Sequence, residues 1–263
     1  MTVITLTTDF GSGDHEAGVL KGVIWSIAPQ VKIVDLSHDI PPQDILAAAL
    51  LLGRSAPYFA DGTIHIGVVD PGVGTSRRGI AARFGSQYFV GPDNGLVTLL
   101  LEKAEGNKVP IEFVHLDQPQ YWLPEVTSVF HGRDVFAPVA AQLAVGVPLS
   151  ALGKPISDSI RLEIPKPSRT PQGWFGQVIH IDYFGNLTTN LQAIHFNQPK
   201  EVIVRIKGVQ VAGLVSTFGE RPPGTLVALF DSSGSLALSI VNGSAAHQLQ
   251  ASVGDDVEIL TLE

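Results

Sequence analysis

Helical apolar spacing alternates with strand-like runs through the first 150 residues and then all but stops. That change divides the chain before any single residue is weighed. Val3 to Thr8 is rich in β-branched residues and runs into the loop Asp9-Phe10-Gly11-Ser12-Gly13-Asp14. Glu16 to Ala28 has helical spacing and stops before Pro29. A second strand follows at Val31 to Leu36, a helix at Gln43 to Leu52 just after Pro41-Pro42, and a third strand at Thr63 to Val69. A β-α-β-α-β order requires parallel strands covered by helices. Short strands at Ile80 to Phe84 and Gln87 to Val90 lead to Gly91-Pro92-Asp93-Asn94-Gly95, an apolar helix to about Glu102 and another over Asp134 to Val145, with Asp134 as its N-cap.

From residue 155 on, four prolines (Pro155, Pro165, Pro167, Pro171) mark a connector. Strand-like runs follow at Phe175 to Ile181, Glu201 to Ile206, Thr225 to Phe230, Ser235 to Val241 and Asp256 to Leu262, a pattern expected of a small β-barrel or sandwich. The reading is an α/β domain with a mainly parallel sheet over 1–157, a linker over 158–172 and an all-β domain over 173–263.

Composition removes several classes of function. The 263 residues carry a formal net charge of -8, against nucleic acid or an anionic membrane as partner. No cysteine is present, so thiolate chemistry, disulfides and Cys-based zinc sites are excluded. Only 16% of residues are charged, which implies extensive buried surface, subunit contacts included. The start of the sequence lacks a signal-peptide pattern, and the longest aliphatic run is far short of a bilayer span, so a soluble, cytoplasmic protein is expected.

Common site motifs fail in turn. Gly11-x-Gly13 follows a strand, but Glu16 stands where a dinucleotide fingerprint needs its third glycine. The loop from Gly72 to Ser76 lacks the Gly-Lys-Ser/Thr ending of a phosphate loop. Neither a His-Glu-x-x-His helix nor a Gly-x-Ser-x-Gly elbow occurs. What remains is two polar insertions at strand or helix ends: Asp70-Pro71-Gly72-Val73-Gly74-Thr75-Ser76-Arg77-Arg78 and Phe130-His131-Gly132-Arg133-Asp134. Singly, Asp9 and Asp70 read as turn residues, Arg77 as a surface charge, and His131 as a helix-entry residue. His38, His65, His115 and His180 lie in or beside strand-like runs and read as structural.

Taken together and in order, Thr7-Thr8-Asp9-Phe10-Gly11, Val69-Asp70-Pro71-Gly72-Val73-Gly74-Thr75, Gly91 to Gly95, Phe130 to Asp134 and Ile181-Asp182-Tyr183-Phe184-Gly185-Asn186 resemble the S-adenosylmethionine (SAM) hydrolases, or SAM hydroxide adenosyltransferases. These are relatives of SAM-dependent fluorinases and chlorinases. The resemblance spans nearly the whole chain. It implies hydrolysis of SAM to adenosine and methionine, without a metal or cofactor. It also implies a homotrimer with SAM between the N-terminal domain of one subunit and the C-terminal domain of its neighbour. Asp70, Arg77 seven positions later and His131 match the hydrolase set. The fluorinase pattern has Tyr at the Asp70 position, Tyr-Ser in place of His131-Gly132, and Trp where this chain has Gln43. By the same resemblance Asp9 binds the ribose diol and Asp182 the methionine ammonium. Phe184 stacks on adenine, Asn186 reads its amino edge, and Asn242 contacts adenine through its backbone. Ser233 stands where halogenases place an Arg for the methionine carboxylate. The rival readings are a SAM-dependent halogenase and a non-catalytic SAM- or adenosine-binding regulatory module.

Overall fold

The structure, a computed structural model, describes residues 2–195 and 201–262 and divides into two compact units, Met1–Glu163 and Ile164–Glu263. In the first unit the chain runs β1 (Val3–Thr8), α1 (Glu16–Ile27), β2 (Lys32–Ser37), α2 (Ile45–Ser55), β3 (Ile64–Val68), β4 (Gly79–Phe84), β5 (Gln87–Pro92), α3 (Thr98–Gly106), β6 (Ile111–Leu116), α4 (Ala137–Ala144) and β7 (Gly153–Pro155). These strands form one sheet in the order β2-β1-β3-β5-β4-β6-β7. The run β2-β1-β3-β5 is parallel, and β4, β6 and β7 extend it with antiparallel pairing. Because β2 lies on one side of β1 and β3 on the other, the strand order reverses between β1 and β3. A crevice opens at the carboxyl ends of strands at such a switch point. Asp9 follows β1 and Asp70 lies two residues past β3, so both carboxylates sit at that crevice.

Burial explains the sequence of β1. Ile4 and Leu6 are fully buried and pack with Leu20, Ile24, Ile66 and Phe136 in the larger core. The intervening Thr5 is also fully buried and needs a partner, which it finds in His65 Nδ1 at 2.7 Å. Gln87 fixes the other side of that ring: its Nε2 donates to the carbonyls of Ala56 and Phe59, so its Oε1 faces His65 Nε2 at 3.4 Å. His65 therefore carries its proton on Nε2 and accepts on Nδ1 from the Thr5 hydroxyl.

Two helix starts differ from the sequence expectation. The helix expected from Gln43 begins at Ile45, because Gln43 sits at φ 67° and the Asp44 side chain caps Ala47 N at 2.8 Å. Asp134 is not an N-cap. It lies inside a π-helical turn over Gly132–Phe136 that precedes α4, with its carboxylate fully buried. Pro138 has no N–H to give the Asp134 carbonyl, and that oxygen instead accepts from Leu123 N at 2.9 Å. The Asp134 carboxylate takes the N–H and the hydroxyl of Thr127, both at 2.8 Å, and pairs with Arg133.

The second unit contains β8 (Ser168–Thr170), β9 (Gly173–Ile181), β10 (Leu187–Gln192), β11 (Glu201–Ile206), β12 (Val209–Ala212), β13 (Leu226–Phe230), β14 (Ser235–Ile240), the short helix α5 (Ala245–Leu249) and β15 (Asp256–Leu262). Its antiparallel sheet runs β12-β11-β15-β9-β10-β14-β13, with β8 beside β9, and β12 approaches β13 so that the sheet nearly closes into a barrel. Strand β10, with the sequence Leu-Thr-Thr-Asn-Leu-Gln, escapes the hydrophobic pattern because Thr188 and Thr189 are buried as polar residues. Among the described residues no helix is long and apolar enough to cross a membrane.

Burial pushes the His65 pKa down to about 4. The unfolded chain, with histidine near its ordinary pKa of about 6.5, takes up that proton first. Stability is accordingly full above about pH 6.5 and declines toward pH 4, by up to ~3 kcal/mol from this residue. Urea unfolding of the wild type and of His65→Asn at pH 7 and pH 5 should show the decline to be smaller in the variant. Equal declines would remove His65 as its source.

Candidate active site

The loop after β3 folds back on itself. Val73 N bonds Asp70 O, Thr75 N and Oγ1 both bond Gly72 O, and Gly74 turns at φ 74°. A Cβ on Gly74 would lie 2.1 Å from Ser128 O, so only glycine permits this approach to the loop before His131. The fold-back returns Arg77 to Asp70. Its Nε donates to Oδ1 at 3.0 Å and its Nη2 donates to Oδ2, a bidentate pair in which both side chains are buried. The same Nη2 lies 3.2 Å from His131 Nδ1, and the guanidinium carbon is 5.4 Å from the centroid of the Phe136 ring. Asp70, Arg77 and His131 thus converge.

This contact fixes the imidazole. A guanidinium has donors only, so Nδ1 must offer its lone pair and Nε2 must carry the proton. Burial and the adjacent Arg77 charge hold His131 below the ordinary histidine range, which keeps it neutral near pH 7. Burial lifts the Asp70 carboxyl above the ordinary range, with Arg77 pulling the other way. Asp70 and His131 border a hollow of about 190 Å³ that Asp9, Phe10, Gln43 and Phe130 also line, while Arg77 lies behind them, bonded to both. That volume is below the roughly 300–1,000 Å³ of complete small-molecule pockets. Asp9 reaches the hollow with its Oδ2 bonded to Gln43 N at 2.8 Å. The part played by Gln43 rests on backbone at positive φ, for which glutamine gives no sequence signal.

The neighbouring arginines are committed elsewhere. Arg78 pairs with Asp93 and Asp158, and Arg133 with Asp134. His38 bonds Thr8 through Nδ1 and faces Asp35 through Nε2, a supporting role beneath the Asp9 loop.

The remaining sequence-predicted residues lie in the second unit. The Asp182 carboxylate organises its own turn, accepting from Phe184 N, Asn186 N and Asn186 Nδ2 at 2.8–2.9 Å. That turn presents Tyr183 fully exposed and Phe184 73% exposed. Gly185, at φ 81°, packs so closely on Ser244 that a Cβ would lie 2.0 Å from its hydroxyl, and Gly185 O accepts from Ala246 N. The Asp182–Asn186 turn and the Asn242 turn, where Asn242 adopts φ 56°, are therefore brought together at the start of α5. Ser233 lies beyond the opposite end of β14, and its hydroxyl donates to Asp231 Oδ1 at 2.6 Å. Beside that carboxylate, Ser233 is poorly suited to anchor a substrate carboxylate.

An open α/β sheet with a partly buried Asp–Arg–His cluster at its switch point, followed by a near-closed β-barrel, defines a two-domain protein equipped to orient a small polar nucleophile. Residues 4–153 match the SAM hydroxide adenosyltransferase N-terminal domain and residues 176–258 the SAM hydroxide adenosyltransferase C-terminal domain. The (R)-S-adenosyl-L-methionine hydrolase of Thermus thermophilus is 38% identical over 265 residues, covering 99% of this chain and 100% of that protein. A fluorinase of an Actinoplanes species is 30% identical over 216 residues, 72% of this chain and 71% of its own. A solved structure of an uncharacterized conserved protein from Thermotoga maritima superposes with a TM-score of 0.88 at 32% identity, covering 99% and 100% of the two chains. The chain belongs to the SAM hydroxide adenosyltransferase family.

Removing one partner of a buried ion pair leaves an uncompensated charge, at a cost of about 3–5 kcal/mol. Arg77→Met should lower stability on that scale, and adding Asp70→Leu should recover much of it. A double-mutant cycle from urea unfolding measures the coupling, and additive losses would contradict the pairing.

Proposed function

We propose that this protein is a cytoplasmic, homotrimeric enzyme that hydrolyses SAM to adenosine and L-methionine by in-line attack of water on C5′. The observation that carries this reading is the convergence of Asp70, Arg77 and His131 at the switch point in a chain of this family. The sulfonium makes methionine a neutral thioether leaving group, so the C5′–S bond breaks with its electron pair going to sulfur and no acid is needed. Only the nucleophile needs help, since water has a pKa of about 15.7 and attacks carbon poorly. No cofactor enters the balance: SAM and water give adenosine, methionine and one proton.

The side chains divide that work. The Nε2–H of His131 donates to the water oxygen and steadies hydroxide character as it develops. Asp70 accepts the proton, because the Nδ1 lone pair of His131 is already engaged by Arg77 and burial raises the proton affinity of the carboxyl. Arg77 holds both partners in place. Its charge is matched by Asp70, so the cationic sulfonium meets a locally neutral cluster. Asp9 receives the ribose hydroxyls through its carboxylate, which is an acceptor only. Asp182 meets the methionine ammonium, Phe184 stacks on adenine, and Asn186 accepts from the adenine amino group through Oδ1, its Nδ2 being bound to Asp182. Asn242 supplies a backbone contact to adenine. The small volume of the hollow and the exposure of Tyr183 and Phe184 support completion of each site by a neighbouring subunit.

Incubation with SAM in oxygen-18 water should place the label in the 5′-hydroxyl of adenosine. Unlabelled adenosine, or a halogenated nucleoside in halide buffer, would overturn water attack. Asp70→Ala and His131→Ala should lower adenosine formation about 10²- to 10⁴-fold while adenosine still binds by calorimetry. Wild-type turnover in both variants would remove the cluster from the chemistry.

The pH profile has a defined sign. Activity requires ionised Asp70 and neutral His131, so kcat should fall with decreasing pH. Because His131 is held below its ordinary value, that limb should lie below about pH 6.5. A midpoint above pH 7 would contradict the neutral, Arg77-bonded imidazole.

A further inference from the structure

The Gly91–Gly95 turn lies outside the hollow, and none of its residues enters the chemistry proposed above. It nevertheless holds both ends of the loop that carries Asp70 and Arg77. At the start of the loop, Asn94 Nδ2 donates to Val69 O at 2.8 Å, while Asn94 Oδ1 accepts from Leu96 N at 3.3 Å to shape its own turn. At the end of the loop, Asp93 N donates to Arg78 O at 2.9 Å. The Arg78 side chain then closes onto Asp93 Oδ2 through Nε at 3.0 Å and Nη2 at 2.6 Å. The second Asp93 oxygen accepts from Ile160 N at 2.8 Å, and Arg78 Nη1 reaches Asp158 at 2.9 Å. Asp93 is 1% exposed, so its charge depends on these partners.

We infer that Asp93 and Asn94 are positioning residues: two adjacent side chains clamp the 69–78 loop at both ends and so set where Arg77 stands against His131. Arg77 and His131 come from different elements, and their contact is a single 3.2 Å bond from a loop whose internal hydrogen bonds shape its turn and whose ends are tied by Asn94 and Asp93. Such a loop holds a side chain within fractions of an ångström only if its ends are fixed. One clamp acts on the residue before Asp70 and the other on the residue after Arg77. Loosening either allows the pair to drift from His131, and a displacement of about 1 Å can reduce turnover about 100-fold.

The inference rests on the proposed hydrolase reading for its kinetic readout, and the test includes a second readout that does not depend on turnover. Asn94→Asp keeps the oxygen that accepts from Leu96 N and replaces the donor to Val69 O with a second carboxylate oxygen. Asp93→Asn keeps the shape and removes the charge facing Arg78. Arg78→Lys is milder, keeping a cation but losing the two-pronged contact, and serves where the other two fail to fold. In folded variants kcat for SAM should fall about ten- to hundredfold with KM within about threefold, since Asp9 is not displaced. By NMR, the His131 pKa should rise from its depressed value toward about 6.5 as Arg77 withdraws and water enters. The charges His131 experiences are Arg77, Asp70 and Asp134, of which the first two move with the loop. A His131 titration identical to wild type in folded variants would overturn the clamp. Lower stability with unchanged kcat and titration would overturn it equally, reducing the turn to a structural element. Absence of SAM turnover in the wild type would instead sink the hydrolase reading, and the His131 titration would still judge the clamp.

Discussion

A buried guanidinium holds the site together. Arg77 cannot be left unpaired in the interior, and its planar fork demands a carboxylate in one geometry. Asp70 meets that demand, and the nitrogen left over fixes the His131 tautomer. One side chain therefore sets the charge of the cluster and the direction in which the imidazole donates. The positions of Gly74, Phe136 and the Thr127–Asp134 segment all follow from bringing the Arg77 loop and the His131 loop into contact.

The sheet makes that contact achievable. Reversal of strand order between β1 and β3 opens a crevice without a dedicated cavity, and Asp9 and Asp70 fall there because each follows a central strand. Thr5, His65 and Gln87 show buried polar side chains of the central strands satisfying one another inside the sheet.

The charge balance suits a sulfonium substrate. An unpaired arginine beside the reacting carbon would repel SAM, whereas the Asp70–Arg77 pair is neutral overall yet still orients polar bonds. Hydroxide attacking a sulfonium cancels opposite charges, so exclusion of water around bound substrate favours the transition state over the separated ions. Donors aimed at the incoming oxygen, with an acceptor behind them, are what that reaction requires.

Local sequence was enough for the larger plan. The alternation of strand and helix periods, its loss after residue 155, and the placement of Asp9 and Asp70 after strands could all be read directly, because hydrophobic periodicity is a local signal. The ordered motifs supplied the candidate residues. Contacts between distant segments were beyond it. Asp134 looks like a helix cap until Pro138 denies its carbonyl a partner and Thr127 claims its carboxylate. Strand β10 hides because its threonines are satisfied only across the sheet. Gln43 takes a positive φ that glutamine does not announce, and Gly91–Gly95 reads as an ordinary turn until Val69 and Arg78 are seen attached to it. Sequence by itself determined which groups were available and at which element ends. Tertiary structure decided which of them meet, which nitrogen of His131 carries the proton and which arginine joins them, because hydrogen bonds and buried charges are settled by partners that the fold delivers from far along the chain.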